Sequence, residues 1–472
     1  MPVISCRPSL FQCDRELYQI LLNCQERSIR QGKSLLVSLS QEIESIDPLA
    51  VLATATRLQP NSLYFYWENP QKQEAIAAIG SAKSLEIGGK KRFNLARAFV
   101  QNCLDRVLKI GEPNLFYAGP RFFANFTFFE TEPDSSSPFP AATLFLPQFQ
   151  IARKENRSVL VVNFEIGDRV NIDTLFEQLK CHRNTLQASI PFNPTPAKEP
   201  TIAKAQLSRT EPFVQAVASA LDEIGSNRYS KIVLAHALEV SSPVPFRPVA
   251  AIANLRQTHP DCYIFSVGNG KGANFIGASP ERLISVRDRQ LVVDALAGSA
   301  PRGTTPTEDT TYAQKLLASE KEKREHQAVS DFIEQRLGEL GLSVSRSPLQ
   351  LLQLSNIQHL WTSIQAQLPD RLHPLEIVAK LHPTPAVAGV PTAIALSQIR
   401  SYEPFERSLY AAPLGWIDER GNSEFIVAIR SALIEGDRAR LYAGAGIVAG
   451  SDPQKELAEV QLKLQAMLKA LS

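Results

Sequence analysis

From Lys231 to Val448 the chain breaks repeatedly into short apolar or β-branched runs, and it groups its helical stretches between them instead of alternating one helix with one strand. Lys231–Val240 (KIVLAHALEV), Cys262–Val267, Leu283–Val286 and Leu291–Leu296 are such runs, separated by turn chemistry such as Gly268-Asn269-Gly270 and Arg287-Asp288-Arg289. Short turns join antiparallel neighbours, so this pattern predicts antiparallel sheets in an α+β fold and not a parallel βαβ repeat. Helices are expected over Glu211–Ile224, over Ala313–Leu340 up to Gly341, and from about Ser451 onward. In the last, Ser451 and Gln454 form a capping box and Pro453 occupies the first turn. Glu424–Ile434 and Ala439–Val448 are expected to form a hairpin across Glu435-Gly436-Asp437.

Two Pro- and Ser-rich stretches, Glu132–Pro140 and Ile190–Pro200, read as loops. The second divides 472 residues into an N-terminal part, 1–195, and a C-terminal part, 205–472, each of ordinary domain size. Lys+Arg 50 against Asp+Glu 48 leaves a formal charge of +2, which excludes a global field for nucleic acid or an anionic membrane. An anionic ligand must then be gripped by local charges. Six scattered cysteines without a C-x-x-C pair, and Asp14, Glu16 and Glu26 near the start, fit reduced thiols and no secretory or transit signal; a cytoplasmic location is expected. No apolar run approaches the roughly 20 residues of a membrane span.

Chemistry concentrates in the C-terminal part. Glu456, Glu459 and Lys463 lie at i, i+3 and i+7 on one helix face. That face can hold a hard divalent cation with an anion it neutralises; an exposed face with an intrahelical ion pair has the same spacing. The run Glu320–His326 borders apolar Ala328, Val329, Phe332 and Ile333, so one of its carboxylates can turn inward. Gly268–Gly272 lacks the Lys-Ser/Thr ending of a phosphate loop, and Gly444-Ala445-Gly446 lacks the spacing of a dinucleotide site. The latter, placed between a strand and a helix N-terminus, offers backbone N–H groups to a carboxylate. Lys231 opens an apolar strand, either partly desolvated or snorkelling to the sheet edge. Glu281 follows Ala278-Ser279-Pro280 in a tight turn. Arg430, read as a strand residue sharing a face with Ile426 and Ala428, needs an acid that a substrate carboxylate would supply.

In order, KIVLAH (231–236), FIGASPERL (275–283), ALAGSAPRG (295–303), SEKEKREH (319–326), HPTPAVAG (382–389), AIRSALI (428–434), YAGAGIV (442–448) and SDPQKELAEVQLK (451–463) resemble the chorismate-utilising enzymes, and within them the isochorismate synthases. The likeness covers about 205–472, with the N-terminal part as the variable half of the same fold. It implies a single large body of two packed antiparallel sheets flanked by helices, the fold of anthranilate synthase component I. It further implies Mg²⁺ on Glu325 and Glu459 with Glu456 nearby, and a ring carboxylate beside Lys463, Gly444 and Gly446. Arg430 and Tyr410 would clamp the enolpyruvyl carboxylate while His359 lines the ring pocket. Lys231 would act as base on water attacking C2, and Glu281 as the acid that protonates the C4 hydroxyl; each role asks for the uncharged form of the group.

The ammonia-using anthranilate and aminodeoxychorismate synthases generally lack a lysine at the place of Lys231. Salicylate synthases tend to carry threonine where Ala386 stands. Both positions therefore imply that the reaction uses water and stops at isochorismate, a precursor of quinones (menaquinone or phylloquinone), siderophores or salicylate. His236, Ser299 and Leu457 depart from the common pattern where arginine, threonine and tryptophan are frequent. The partner expected is chorismate alone, with no nucleic acid, membrane or glutaminase subunit, on a monomer.

Overall fold

The computed structural model describes residues 3–4, 13–112, 114–130, 137–187, 204–205, 210–355 and 357–472. Among these residues two sheets, of 14 and 10 strands, carry eleven α-helices. The architecture is α+β. Pairing is antiparallel throughout except where Val107–Gly111 runs parallel to Val3–Ile4 and to Leu35–Ile43.

Both parts of the chain build both sheets. Leu63–Asn69 (LYFYWEN), almost wholly buried, pairs with Tyr263–Asn269, placing Trp67 opposite Phe265. In the smaller sheet Arg121–Phe126 pairs with Pro413–Asp418, placing Ala124 opposite Gly415. Facing aromatic side chains fill the space between the sheets: Phe65 meets Phe123 at 4.9 Å between ring centroids, and Trp67 meets Trp416 edge-on at 6.4 Å. The shared sheets and joint core make one body. The Ile190–Pro200 stretch and residues 132–136 of the other expected loop lie outside the described residues.

Around the site the larger sheet runs Ala273–Ser279, Ser431–Glu435, Arg438–Val448, Lys231–Ser241. In the smaller sheet Gln290–Pro301 lies between Ile357–Gln367 and Arg282–Arg287. Helix Glu320–Gly338 packs on Gln290–Pro301, and helix Pro453–Leu471 on Arg438–Val448. Each buries an apolar stripe at helical spacing, Val329, Ile333 and Leu337 on the first and Leu457, Val460, Leu464 and Met467 on the second.

Four local expectations are corrected. The expected helix 313–340 is two helices, Pro306–Ala318 and Glu320–Gly338, because the Ser319 hydroxyl accepts from the Glu322 N–H and caps a new start. The last helix is capped by Asp452, which accepts from the N–H groups of Gln454 and Lys455; Ser451 instead accepts from the Val448 N–H. The stretch 424–434 is not one strand. Ser423–Val427 belongs to the smaller sheet and Ser431–Glu435 to the larger, and Arg430 sits in the crossover at φ +50°. Gly444 and Gly446 lie inside strand Arg438–Val448, opposite Ala235 and Val233, and not ahead of the helix.

Candidate active site

The crossover at 428–430 brings the two sheets to one cavity. Its wall includes Glu281, Glu325, His359, Ala386, Tyr410, Arg430, Gly444, Gly446, Glu456, Glu459 and Lys463, eleven of the twelve expected site residues. The twelfth, Lys231, is buried just behind the wall. Its amine donates to Glu325 Oε1 at 2.7 Å, so the lysine points inward to a wall residue and does not snorkel to solvent.

Glycine makes that contact possible. A Cβ on Gly446 would lie 2.8 Å from Glu325 Oε1 and 3.2 Å from Lys231 Cε. One on Gly444 would lie 2.9 Å from the Tyr410 hydroxyl. The obstacles at Gly446 are side chains that can shift, so Gly446→Ala should fold normally while displacing Glu325 and Lys231. A loss of about 10²-fold in turnover, the usual consequence of an ångström of misplacement, is expected with an unchanged melting temperature. Parent turnover in this variant would show that the positions of Glu325 and Lys231 do not matter.

Two helices each present carboxylates at i, i+3: Glu322 and Glu325, Glu456 and Glu459. Burial first, then the neighbouring carboxylates, raises Glu322 and Glu456 above the ordinary range. Cations partly offset the cluster. Lys321 lies 3.8 Å from Glu322 and 3.9 Å from Glu456, and Lys463 donates to Glu459 at 2.7 Å and to the Gly444 carbonyl at 2.9 Å. Among the described residues no three acidic, His or Cys side chains are gathered closely enough to make a ready metal site. The donors nonetheless fit Mg²⁺, which is bound by oxygen, often through one or two carboxylates plus water. Glu322 is the carboxylate that the charged run 320–326 concealed; the i, i+3 spacing repeated on both helices was its signal.

Across the cavity the buried Arg430 guanidinium has no acid partner among the described residues. It donates to Cys262 Sγ at 3.8 Å and to His359 Nε2 at 3.3 Å. A guanidinium only donates, so Nε2 accepts and Nδ1 carries the proton, donating to Ser299 Oγ at 2.9 Å. Burial, then Arg430 and Lys463, holds the imidazole well below its usual range and hence neutral. Cys262 had no pattern to mark it. A buried guanidinium without an acid partner, lining the same cavity as Tyr410, can hold a ligand carboxylate. Tyr410 is pushed up chiefly by burial.

Glu281 is buried between strands Ala273–Ser279 and Arg282–Arg287. Its N–H donates to Ser279 Oγ and its carbonyl accepts from the Val427 N–H. Burial drives its carboxyl up to about 8, with Lys231 opposing and Asp294 adding to the rise. The cavity thus combines a guanidinium able to hold a carboxylate, an acid cluster suited to a divalent cation, and an acid whose carboxyl is raised by burial.

The family described as chorismate binding enzyme matches residues 20–472. The chain is 31% identical to isochorismate synthase MenF of Bacillus subtilis over 96% of both chains, and 35% identical to the salicylate biosynthesis isochorismate synthase of Pseudomonas aeruginosa over 95% of this chain and 93% of the other. The structure of MenF, the menaquinone-specific isochorismate synthase from Escherichia coli, superimposes with a TM-score of 0.78 at 26% identity, over 96% of this chain and 100% of that one. Anthranilate synthase component I from Streptococcus pneumoniae, at 20% identity and a TM-score of 0.65, shares the fold. On a match spanning 20–472 and a relative similar along its full length, this chain is an enzyme that belongs to the chorismate-binding family.

Proposed function

We propose that the protein is a magnesium-dependent isochorismate synthase that converts chorismate to isochorismate. The observation that carries this reading is the buried Lys231 amine held at the cavity wall against Glu325, at a position where the ammonia-using relatives generally lack a lysine. The isochorismate synthase names of its full-length relatives support it.

Arg430 and Tyr410 hold the enolpyruvyl carboxylate, and Lys463 lies beside the ring carboxylate. Glu325 and Glu459, with Glu456 and Glu322 near them, would hold Mg²⁺. When bound, the ion would neutralise the ring carboxylate and keep it in place. Lys231, paired with Glu325 in the free protein, acts in its uncharged form: after giving one proton to solvent, its amine removes a proton from water as the water oxygen bonds to C2. The ring double bond shifts, the C4–O bond breaks, and Glu281 protonates the departing hydroxyl. One water enters and one leaves, so the reaction is an isomerisation, and both groups are reset by proton exchange with solvent.

The direct test incubates the protein with chorismate and Mg²⁺ and resolves the products chromatographically. Isochorismate is expected; salicylate with pyruvate, or anthranilate formed with ammonia, would sink the reading. A pH profile adds a second check. An acid with its carboxyl near 8 in the free protein is protonated below that pH and ionised above it, so kcat/KM should fall as pH rises through about 8. A profile flat from pH 6 to 10 would remove Glu281 from the acid's role.

A further inference from the structure

One ion pair outside the cavity lining ties together three segments that form its wall. Arg407, fully buried, donates from Nε to Glu403 Oε2 at 2.8 Å and from Nη2 to Glu403 Oε1 at 2.6 Å. The same guanidinium donates to the Val233 carbonyl and to the Val387 carbonyl, each at 2.8 Å. Glu403 Oε1 also accepts from the Ala235 N–H at 2.7 Å. The Arg407 carbonyl accepts from the Tyr410 N–H at 2.7 Å, and the guanidinium lies over the Phe128 ring at 4.3 Å.

Those acceptors and donors belong to the segments that matter. Val233 lines the cavity two residues beyond Lys231, Val387 follows Ala386, and the turn from Arg407 delivers Tyr410. That turn contains Ser408 at φ +48° and Ala411 at φ +59°, conformations that non-glycine residues adopt at a cost and keep only where surroundings impose them. A buried ion pair is weak evidence of stabilisation, because apolar replacements of similar shape are often neutral or better. A five-donor fork that satisfies a carboxylate and two carbonyls in one plane is instead a gauge of geometry.

We propose that Glu403 and Arg407 are positioning residues, which set the spacing between the Lys231 strand, the Ala386 turn and Tyr410 without touching substrate. The proposal rests on the reading of the site as a chorismate isomerase. Its test uses the full-length protein and two variants. Glu403→Gln keeps the shape and the acceptor for the Ala235 N–H but discards the charge. Arg407→Lys keeps the charge on a head group too small to bridge Glu403, Val233 and Val387 together. Activity is measured per folded molecule, with the folded fraction taken from thermal melts and near-ultraviolet circular dichroism.

Arg407→Lys should lose about 10²-fold in kcat/KM at a folded fraction like the parent's. The loss should divide between a raised KM, from the displaced Tyr410 and Ala386, and a lowered kcat, from the displaced Lys231 strand. Glu403→Gln should show the same division at smaller size. Parent kcat and KM per folded molecule in both variants would overturn the proposal. So would collapse of the fold in both, because the pair would then hold up the fold and not the site. If the parent protein itself makes no isochorismate, the reading of the site fails, and that result is separate from either variant's.

Discussion

Lys231→Ala should bind chorismate nearly as tightly as the parent and turn it over 10²–10⁴-fold more slowly, a barrier increase of roughly 3–5 kcal/mol, the usual cost of removing a general base. In the proposed complex the carboxylates rest on Arg430, Tyr410 and Lys463, so chorismate binding should survive at saturating Mg²⁺. The fold should survive too. Alanine leaves the strand pairing of Lys231 with Val448 and Val390 intact, since those contacts are made by backbone. The variant does strip Glu325 of its 2.7 Å partner, so a lysine that served only to neutralise Glu325 would reveal itself differently. Its loss would change metal affinity and leave the chemical step at saturating Mg²⁺ near the parent rate. Equilibrium binding of chorismate and single-turnover rates at saturating Mg²⁺ separate the two roles; a parent single-turnover rate removes Lys231 as base. Glu281→Gln should slow the same step comparably. The two losses should not add, because base and acid serve one transition state.

The sequence made the fold class legible through its turn chemistry: the Gly268-Asn269-Gly270 turn does close a hairpin between Tyr263–Asn269 and Ala273–Ser279. The expectations that failed lie where local pattern competes with tertiary structure. Residues 424–434 are apolar but for Glu424, Arg430 and Ser431, and nothing local in them shows that the two ends serve different sheets. Only long-range pairing, Val427 with Pro413 in one sheet and Ser431 with Gly277 in the other, forces the break that turns Arg430 into the cavity. Residues 313–340 read as one helix because Ser319 is tolerable in a helix and is also a good cap; the structure chose the cap. Of the site, the charged groups on helices could be placed from spacing, and the roles of Arg430, Tyr410 and His359 came from the likeness to a known family. Cys262, Glu403 and Arg407 meet their partners Arg430, Ala235 and Val233 across 168, 168 and 174 residues of sequence, beyond the reach of any local pattern.

Glu325→Gln and Glu459→Gln should each weaken Mg²⁺ binding by more than roughly 10–100-fold, the range seen for groups that merely support a metal ligand, and should abolish most turnover at physiological Mg²⁺. The argument is electrostatic. Four carboxylates at one cavity repel one another, and burial with that repulsion already raises Glu322 and Glu456. Lys231, Lys321 and Lys463 offset only part of that charge, at distances of 2.7 to 3.9 Å. A divalent cation gains from every remaining negative charge, so deleting the charge of Glu325 or of Glu459 costs affinity directly. An exposed glutamate on the same helix, Glu320, which pairs at 3.1 Å with Lys323, provides the control. Glu320→Gln should change neither Mg²⁺ affinity nor rate. Isothermal titration with Mg²⁺ alone gives a readout independent of catalysis, and activity with EDTA present gives the second. Glu459→Gln that binds Mg²⁺ like the parent, or that turns over at the parent rate with EDTA present, would remove the metal from this cluster. The four acids would then be a charge reservoir balanced by lysines, and the ring carboxylate would have to be held by Lys463 and Lys321 instead.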